Sequence, residues 1–212
     1  MPIEILPNFV DTEKFLPNDA EAEEGLIVFA GTVCEKKGVR QLIAAMPAIL
    51  ASVPHARLII AGRDQMEAPG GGSFVEYLKS LMGPLVRERT VFLGPLRHSD
   101  LPGLLRKANV CVFPSHSESQ GIVFLEAMAT GKPQVAPRIP PVLEMMREGE
   151  HALFCDPREP ESIAAAVVRL LKDPDLRARL GRAARERVVR EFSAEVMVPR
   201  NIEFYERVLG MR

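Results

Sequence analysis

Several classes of protein are excluded by what this chain has little of. Its 212 residues carry a formal net charge of only -1, so there is no global attraction to nucleic acid or anionic lipid, and any phosphate binding has to be local. The three cysteines, Cys34, Cys111 and Cys155, are odd in number, far apart and without a Cys-x-x-Cys pair. That spacing builds neither a disulfide framework nor a zinc cage, and it suits a reducing cytoplasm. His55, His98, His116 and His151 show no metal-ligand spacing, so no metal site is expected. No apolar run approaches the roughly 18 to 20 residues of a membrane span, and the first residues, MPIEILPNFVD, lack the regions of a signal peptide. Neither the Walker pattern nor Gly-x-Gly-x-x-Gly occurs, which removes the main support for a P-loop NTPase or a dinucleotide dehydrogenase.

What remains is long enough for one large domain or two small ones with a sizeable core. Residues 1–25 hold Pro2, Pro7 and Pro17 and the acidic NDAEAEEG, a pattern suited to an extended connection. From Leu26 the pattern alternates. LIVFAG reads as a strand buried on both faces and ended by Gly31, followed by a loop and an amphipathic helix over 38–52 that Pro47 should disturb. RLIIAG is a second strand, followed by a glycine-rich loop and a helix over 73–89. TVFLG is a third, then a helix over 99–107 capped near Ser99 or Asp100, and NVCVFP a fourth. Further on come a helix near 141–147, a short strand ALFC, a helix over 160–172 and two more over 175–191 and 194–209. This alternation predicts a Rossmann-like parallel α/β sheet with helices on both faces and extra C-terminal helices. The domain limits expected are 1–25 for the connection, 26–192 for the sheet domain and 193–212 for a final helix. Six arginines on the helix over 175–191 read as a solvated face rather than a nucleic-acid stripe, because acidic residues interleave and no aromatics accompany them.

Parallel sheets bind ligands beyond the carboxyl ends of their strands, which directs attention to four loops. In GTVCEKKG, Lys37 stands beside a helix start that favours anions; it is either a phosphate contact or a solvent-facing lysine. The stretch from Val110 to Ala136 is richer. Gly121 opens a helix, so the N–H groups of Gly121, Ile122 and Val123 can converge on a diphosphate with no side chain in the way. Glu126 lies about 7.5 Å further along the axis, the offset from diphosphate to ribose, and a carboxylate accepts hydrogen bonds from the ribose diol. Its neighbours are apolar, so it is costly to desolvate without a partner, and a purely structural hydrogen bond is the other role open to it. Glu118 either binds sugar hydroxyls or caps the helix with Ser117 and Ser119. A glycosidase pair of carboxylates would flank a scissile bond at roughly 5–10 Å, whereas here the diphosphate amides fall between them, so hydrolysis is the weaker reading. His116 reads as a hydrogen-bonding loop residue.

These stretches resemble the C-terminal, donor-binding domain of GT-B glycosyltransferases of the retaining GT4 group, over nearly the whole chain. PNFVDTEKF resembles the family's interdomain stretch, GTVCEKKG its GR-x4-KG loop, ESQGIVFLEAMATGKPQVA its E-x7-E motif, and EHALFCDPREPESIAAAV its GLLV-PP-DPE-LA region. The resemblance implies a nucleotide-diphosphate sugar as substrate. Lys37 would contact its diphosphate, Gly121 and Ile122 would supply backbone donors, Glu126 would hold the ribose, Gly94, Pro95 and Leu96 would lie near the base, and Glu118 would bond the transferred sugar as the catalytic carboxylate. It also implies transfer with retention and no divalent metal, because fixed positive charge and oriented amides stabilise the leaving diphosphate. Three departures stand out. Thr32 replaces an arginine in the phosphate loop, Pro140-Pro141 replaces a glycine pair, and the N-terminal domain with the acceptor site is missing. The chain alone is therefore expected to bind donor and transfer little or nothing, or else to be a non-catalytic binding or scaffolding module. Val196, Met197, Val198, Ile202, Phe204 and Tyr205 on the last helix would lose the cover of the missing domain, leaving an exposed apolar patch, a displaced helix or self-association.

Overall fold

The computed structural model describes residues 5–210; Pro2 and the last two residues of the final segment lie outside them. The short apolar runs become strands and the amphipathic runs become helices. β1 (Leu26–Ala30), β2 (Arg57–Ala61), β3 (Thr90–Gly94), β4 (Val110–Val112), β5 (Gln134–Pro137) and β6 (Leu153–Cys155) form one sheet in the order β3-β2-β1-β4-β5-β6. All five pairings are parallel. β1, β4 and β5 are buried along their whole length, as expected of strands covered on both faces. β3 is an edge strand and leaves Val91 and Leu93 about half exposed. The chain winds outward from β1 to β3 and returns to β4 beside β1, so the topological switch point lies between β1 and β4.

α1 (Val39–Ser52) runs through Pro47 without interruption, its Val39, Leu42, Ile43, Met46, Ile49 and Leu50 all buried, and it packs against α7 (Pro160–Lys172). The 73–89 segment is two helices instead of one, α2 (Phe74–Leu81) and α3 (Pro84–Glu88). Gly83 adopts extended backbone and Pro84 starts the next helix, where its missing N–H costs no bond. α4 (Leu101–Lys107) leads into β4, and α5 (Ile122–Ala129) joins β4 to β5. α6 (Pro140–Met145) carries Pro140 and Pro141 in its first turn, where both fit a helix start. α8 (Pro174–Phe192) crosses back over α5, and α9 (Ala194–Val208) is the last element.

The opening connection is more firmly seated than its composition suggests. Phe15 and Val10 are buried in the main core, Val10 bridges to Ser193, and Arg185 on α8 donates to the carbonyls of Thr12, Phe15 and Ala129. Arginines on α8 also act as clips rather than as a merely solvated face: Arg177, Arg179 and Arg187 each donate to backbone carbonyls of neighbouring segments. No helix among the described residues is long and apolar enough to cross a membrane.

Candidate functional site

The loops after β1, β2, β3 and β4 meet at the carboxyl ends of the strands, around the switch point. Gly38 starts α1 at φ 69°, and a methyl group on it would stand 1.9 Å from the carbonyl oxygen of Pro114. Only glycine lets these two loops touch. That contact sets the loop after β1, with Lys37, against the loop after β4, with Glu118. Lys37 then reaches across: its Nζ lies 2.7 Å from both carboxylate oxygens of Glu118, and the Ser115 hydroxyl donates to the same carboxylate at 2.7 Å. The Glu118 side chain is 5% exposed. It does not cap α5, whose start has no side-chain cap at all. In that first turn Phe124 N–H donates to the Gly121 carbonyl, while the N–H groups of Ile122 and Val123, ahead of it, lack a side-chain cap. Gly121 precedes them at φ 77°, with its Cα beside the Glu118 carboxyl and the Phe124 ring.

Five residues further on, Glu126 is buried, with its side chain 7% exposed. The partner that a buried carboxylate needs is His98, whose Nε2 lies 2.6 Å from Glu126 Oε1. The other ring nitrogen of His98 is 2.8 Å from Lys14 Nζ, and the ring packs at 5.5 Å on Phe15. In the linear sequence His98 shows only the lack of metal-ligand spacing. Its position in the loop after β3, at a sheet end that binds ligands, was the available signal. Glu126 also borders a cavity of about 280 Å³ with Gly31, Gly62, Arg63, Pro95, Leu96 and Val123. A separate cavity, of about 470 Å³, lies past the ends of β5 and β6 and is lined by His116, Arg138 and Asp156 among others. His116 bonds the Pro157 carbonyl.

The residues singled out from sequence thus fall into two neighbouring groups. Lys37 and Gly121 both adjoin the Glu118 carboxyl group. Pro95, Leu96, Val123 and Glu126 line one cavity. Gly94 stands just behind that cavity, accepting from Gly62 N–H, and the Ile122 side chain is about half exposed. Thr32 lies on the extension of β1 next to Arg63, and the hydrogen bonds that Lys37 and Glu118 make with their side chains do not involve it. Arg40 is tied to Glu35 by a forked hydrogen bond, which holds the Glu35 carboxyl below the ordinary carboxylate range. It is therefore not available to a ligand.

A six-stranded parallel sheet with this switch point, and two buried carboxylates on either side of an uncapped helix start, define a Rossmann-like domain of the C-terminal GT-B glycosyltransferase type. The model of the family Glycosyl transferases group 1 matches residues 11–187, and the chain belongs to that family. An uncharacterised glycosyltransferase of Methanocaldococcus jannaschii is 34% identical over 190 residues, covering 89% of this chain and 46% of the relative. Sucrose-phosphate synthase from Thermosynechococcus elongatus superposes with a TM-score of 0.86 at 27% identity, over 99% of this chain and 53% of the other. Anabaena HepE in complex with UDP and glucose shares the fold, with a TM-score of 0.84 at 19% identity over 96% of this chain and 56% of the other. The chain spans about half the length of the curated relatives it matches.

Proposed function

We propose that this chain is the donor-binding half of a retaining, GT4-like glycosyltransferase, and that it holds a nucleotide-diphosphate sugar across the switch point. The observation that carries the reading is the placement of Lys37 and Glu118 at one end of the uncapped start of α5 and of Glu126 at the other. The diphosphate would sit on the N–H groups of Gly121, Ile122 and Val123, with Lys37 supplying fixed positive charge to the leaving group. Glu126 would accept from the ribose diol, Gly94, Pro95 and Leu96 would border the base, and Glu118 would bond the transferred sugar near its reacting carbon. Thr32 flanks the phosphate subsite without charge. Lys37 neutralises Glu118 as it stands, and donor entry would move the ammonium onto the diphosphate. No divalent metal is needed for that arrangement. A neighbour of the same fold was solved with UDP and glucose, which fits such a substrate. Catalysis requires a further domain to bring the acceptor, so the chain alone binds donor and turns over little, in the cytoplasm as its reduced cysteines suit.

Isothermal titration with UDP-, GDP- and ADP-glucose tests this. One base class is expected to bind saturably, and Glu126→Ala to weaken it about 10- to 100-fold through loss of a charged hydrogen bond. No saturable binding by any of the three, with Glu126→Ala indistinguishable from the unaltered chain, would sink the reading. The second reading, a nucleotide-sugar-binding or scaffolding module without catalysis, is motivated by the uncharged Thr32 and the proline pair. Turnover on adding a matching N-terminal domain would rule it out.

A further inference from the structure

The crevice has a shortage of available positive charge. It contains two buried carboxylates, Glu118 and Glu126. Lys37 meets both oxygens of the first and can serve a diphosphate only by giving up that carboxylate, Lys14 meets the His98 ring that pairs with the second, and Arg40 is committed to Glu35. Once Lys37 turns to an entering diphosphate, the Glu118 carboxylate beside it is left unpaired, so a second cation is needed to balance the added charge. Lys36 is exposed and does not border the cavity beside Glu126.

Arg63 does border it. It follows β2 after Gly62, is exposed, and its guanidinium has no hydrogen-bond or ion-pair partner among the described residues. Its backbone is fixed all the same. The register that pairs Ala30 with Ala61 continues past the glycines to pair Val33 with Asp64, and Val33 N–H donates to the Arg63 carbonyl at 2.9 Å. Arg63 is therefore the lateral neighbour of Thr32, one strand away at about 4.8 Å, and in-register neighbours on parallel strands direct their side chains to the same face. A long side chain starting there covers the ground that the short Thr32 side chain leaves uncharged.

We infer that Arg63 supplies the guanidinium for the donor's diphosphate, a planar fork suited to two phosphate oxygens, from the end of β2 rather than from the phosphate loop after β1. This deepens the donor-binding reading and rests on it.

The test is titration of the 212-residue chain with UDP, GDP and ADP and with the matching nucleosides, for the unaltered protein, Arg63→Ala, Arg63→Lys and the double variant Thr32→Arg/Arg63→Ala. Arg63→Ala is expected to weaken nucleoside diphosphate binding about 10- to 100-fold and to leave nucleoside binding unchanged. Arg63→Lys should recover part of the loss, and Thr32→Arg should restore binding from the neighbouring strand. Thermal melting of each variant, expected to be unchanged because the exposed Arg63 side chain makes no hydrogen bond or ion pair among the described residues, separates misfolding from lost binding. Unchanged diphosphate binding in Arg63→Ala overturns the inference while leaving the donor reading intact. Equal losses for nucleoside and diphosphate overturn it too, since they assign Arg63 to the base. Failure of the unaltered chain to bind any nucleoside diphosphate overturns the donor reading and this inference with it.

Discussion

Lys132 sits just before β5, 3% exposed, with Asp19, itself 93% exposed, 3.7 Å from its ammonium. Burial holds its pKa below the ordinary lysine value of 10.5, so the unfolded chain binds that proton more tightly than the folded one. This lysine consequently lowers stability at neutral pH. The loss fades as pH rises through the depressed folded value towards 10.5, where neither state holds the proton. Lys132→Met is expected to raise stability by about 1 kcal/mol at pH 7, with the gain shrinking as pH approaches 10.5; thermal melts across that range measure it. The same desolvation logic made Glu126 stand out in the sequence, as a carboxylate among apolar neighbours. Its partner could not be read there. His98 lies 28 residues away and Lys37 lies 81 residues from Glu118, and only the strand order brings either pair together. Arg63 was overlooked for a related reason: its relation to Thr32 exists in the sheet register and nowhere in the linear sequence.

Among the elements, the strands were the most legible, because a run such as LIVFA with no polar interruption has few uses other than a strand covered on both faces. The break between α2 and α3 went unread although Gly83-Pro84 marks it, since the apolar spacing continues on both sides of the pair. The first 25 residues were read by their prolines and acids, which outnumber the two anchors, Val10 and Phe15, that fix the segment to the core. Arg185 completes that anchorage with three carbonyl bonds, and burial presses its guanidinium pKa downward without removing the charge. Arg185→Met is expected to cost about 2–4 kcal/mol by leaving partly buried carbonyls unpaired. It should also expose the 5–25 segment, so that limited proteolysis cuts there first. Because Phe15 packs on His98 and Lys14 meets its ring nitrogen, loosening this segment should disturb the Glu126 contact as well.

For the molecule as a whole, α9 is the least covered part. Met197 is buried, against expectation for an uncovered helix, but Val196, Val198, Ile202, Tyr205, Val208 and Leu209 are exposed, and Phe204 is half-buried. We expect this face to be covered by the domain that the relatives' greater length leaves room for, and the 212-residue chain to associate reversibly through it. Sedimentation velocity over a concentration series should show a rising mass for the unaltered chain and a constant monomer for Val198→Glu/Ile202→Glu; a monomer throughout in the unaltered chain would contradict the expectation.

The meeting of Gly38 with Pro114 has a mechanical consequence. The two loops touch through a bare Cα, and the His116 N–H donates to the Lys36 carbonyl across the same seam, so the backbone contact between them persists when Lys37 turns from Glu118 to a ligand, and the pair acts as one wall. Any closing motion around a substrate has to be made by what faces that wall. Between the two loops, drift in sequence is confined to changes that add no atom at position 38, whereas the run of glycines at 70–72, with open space around each, is free to lengthen or shorten.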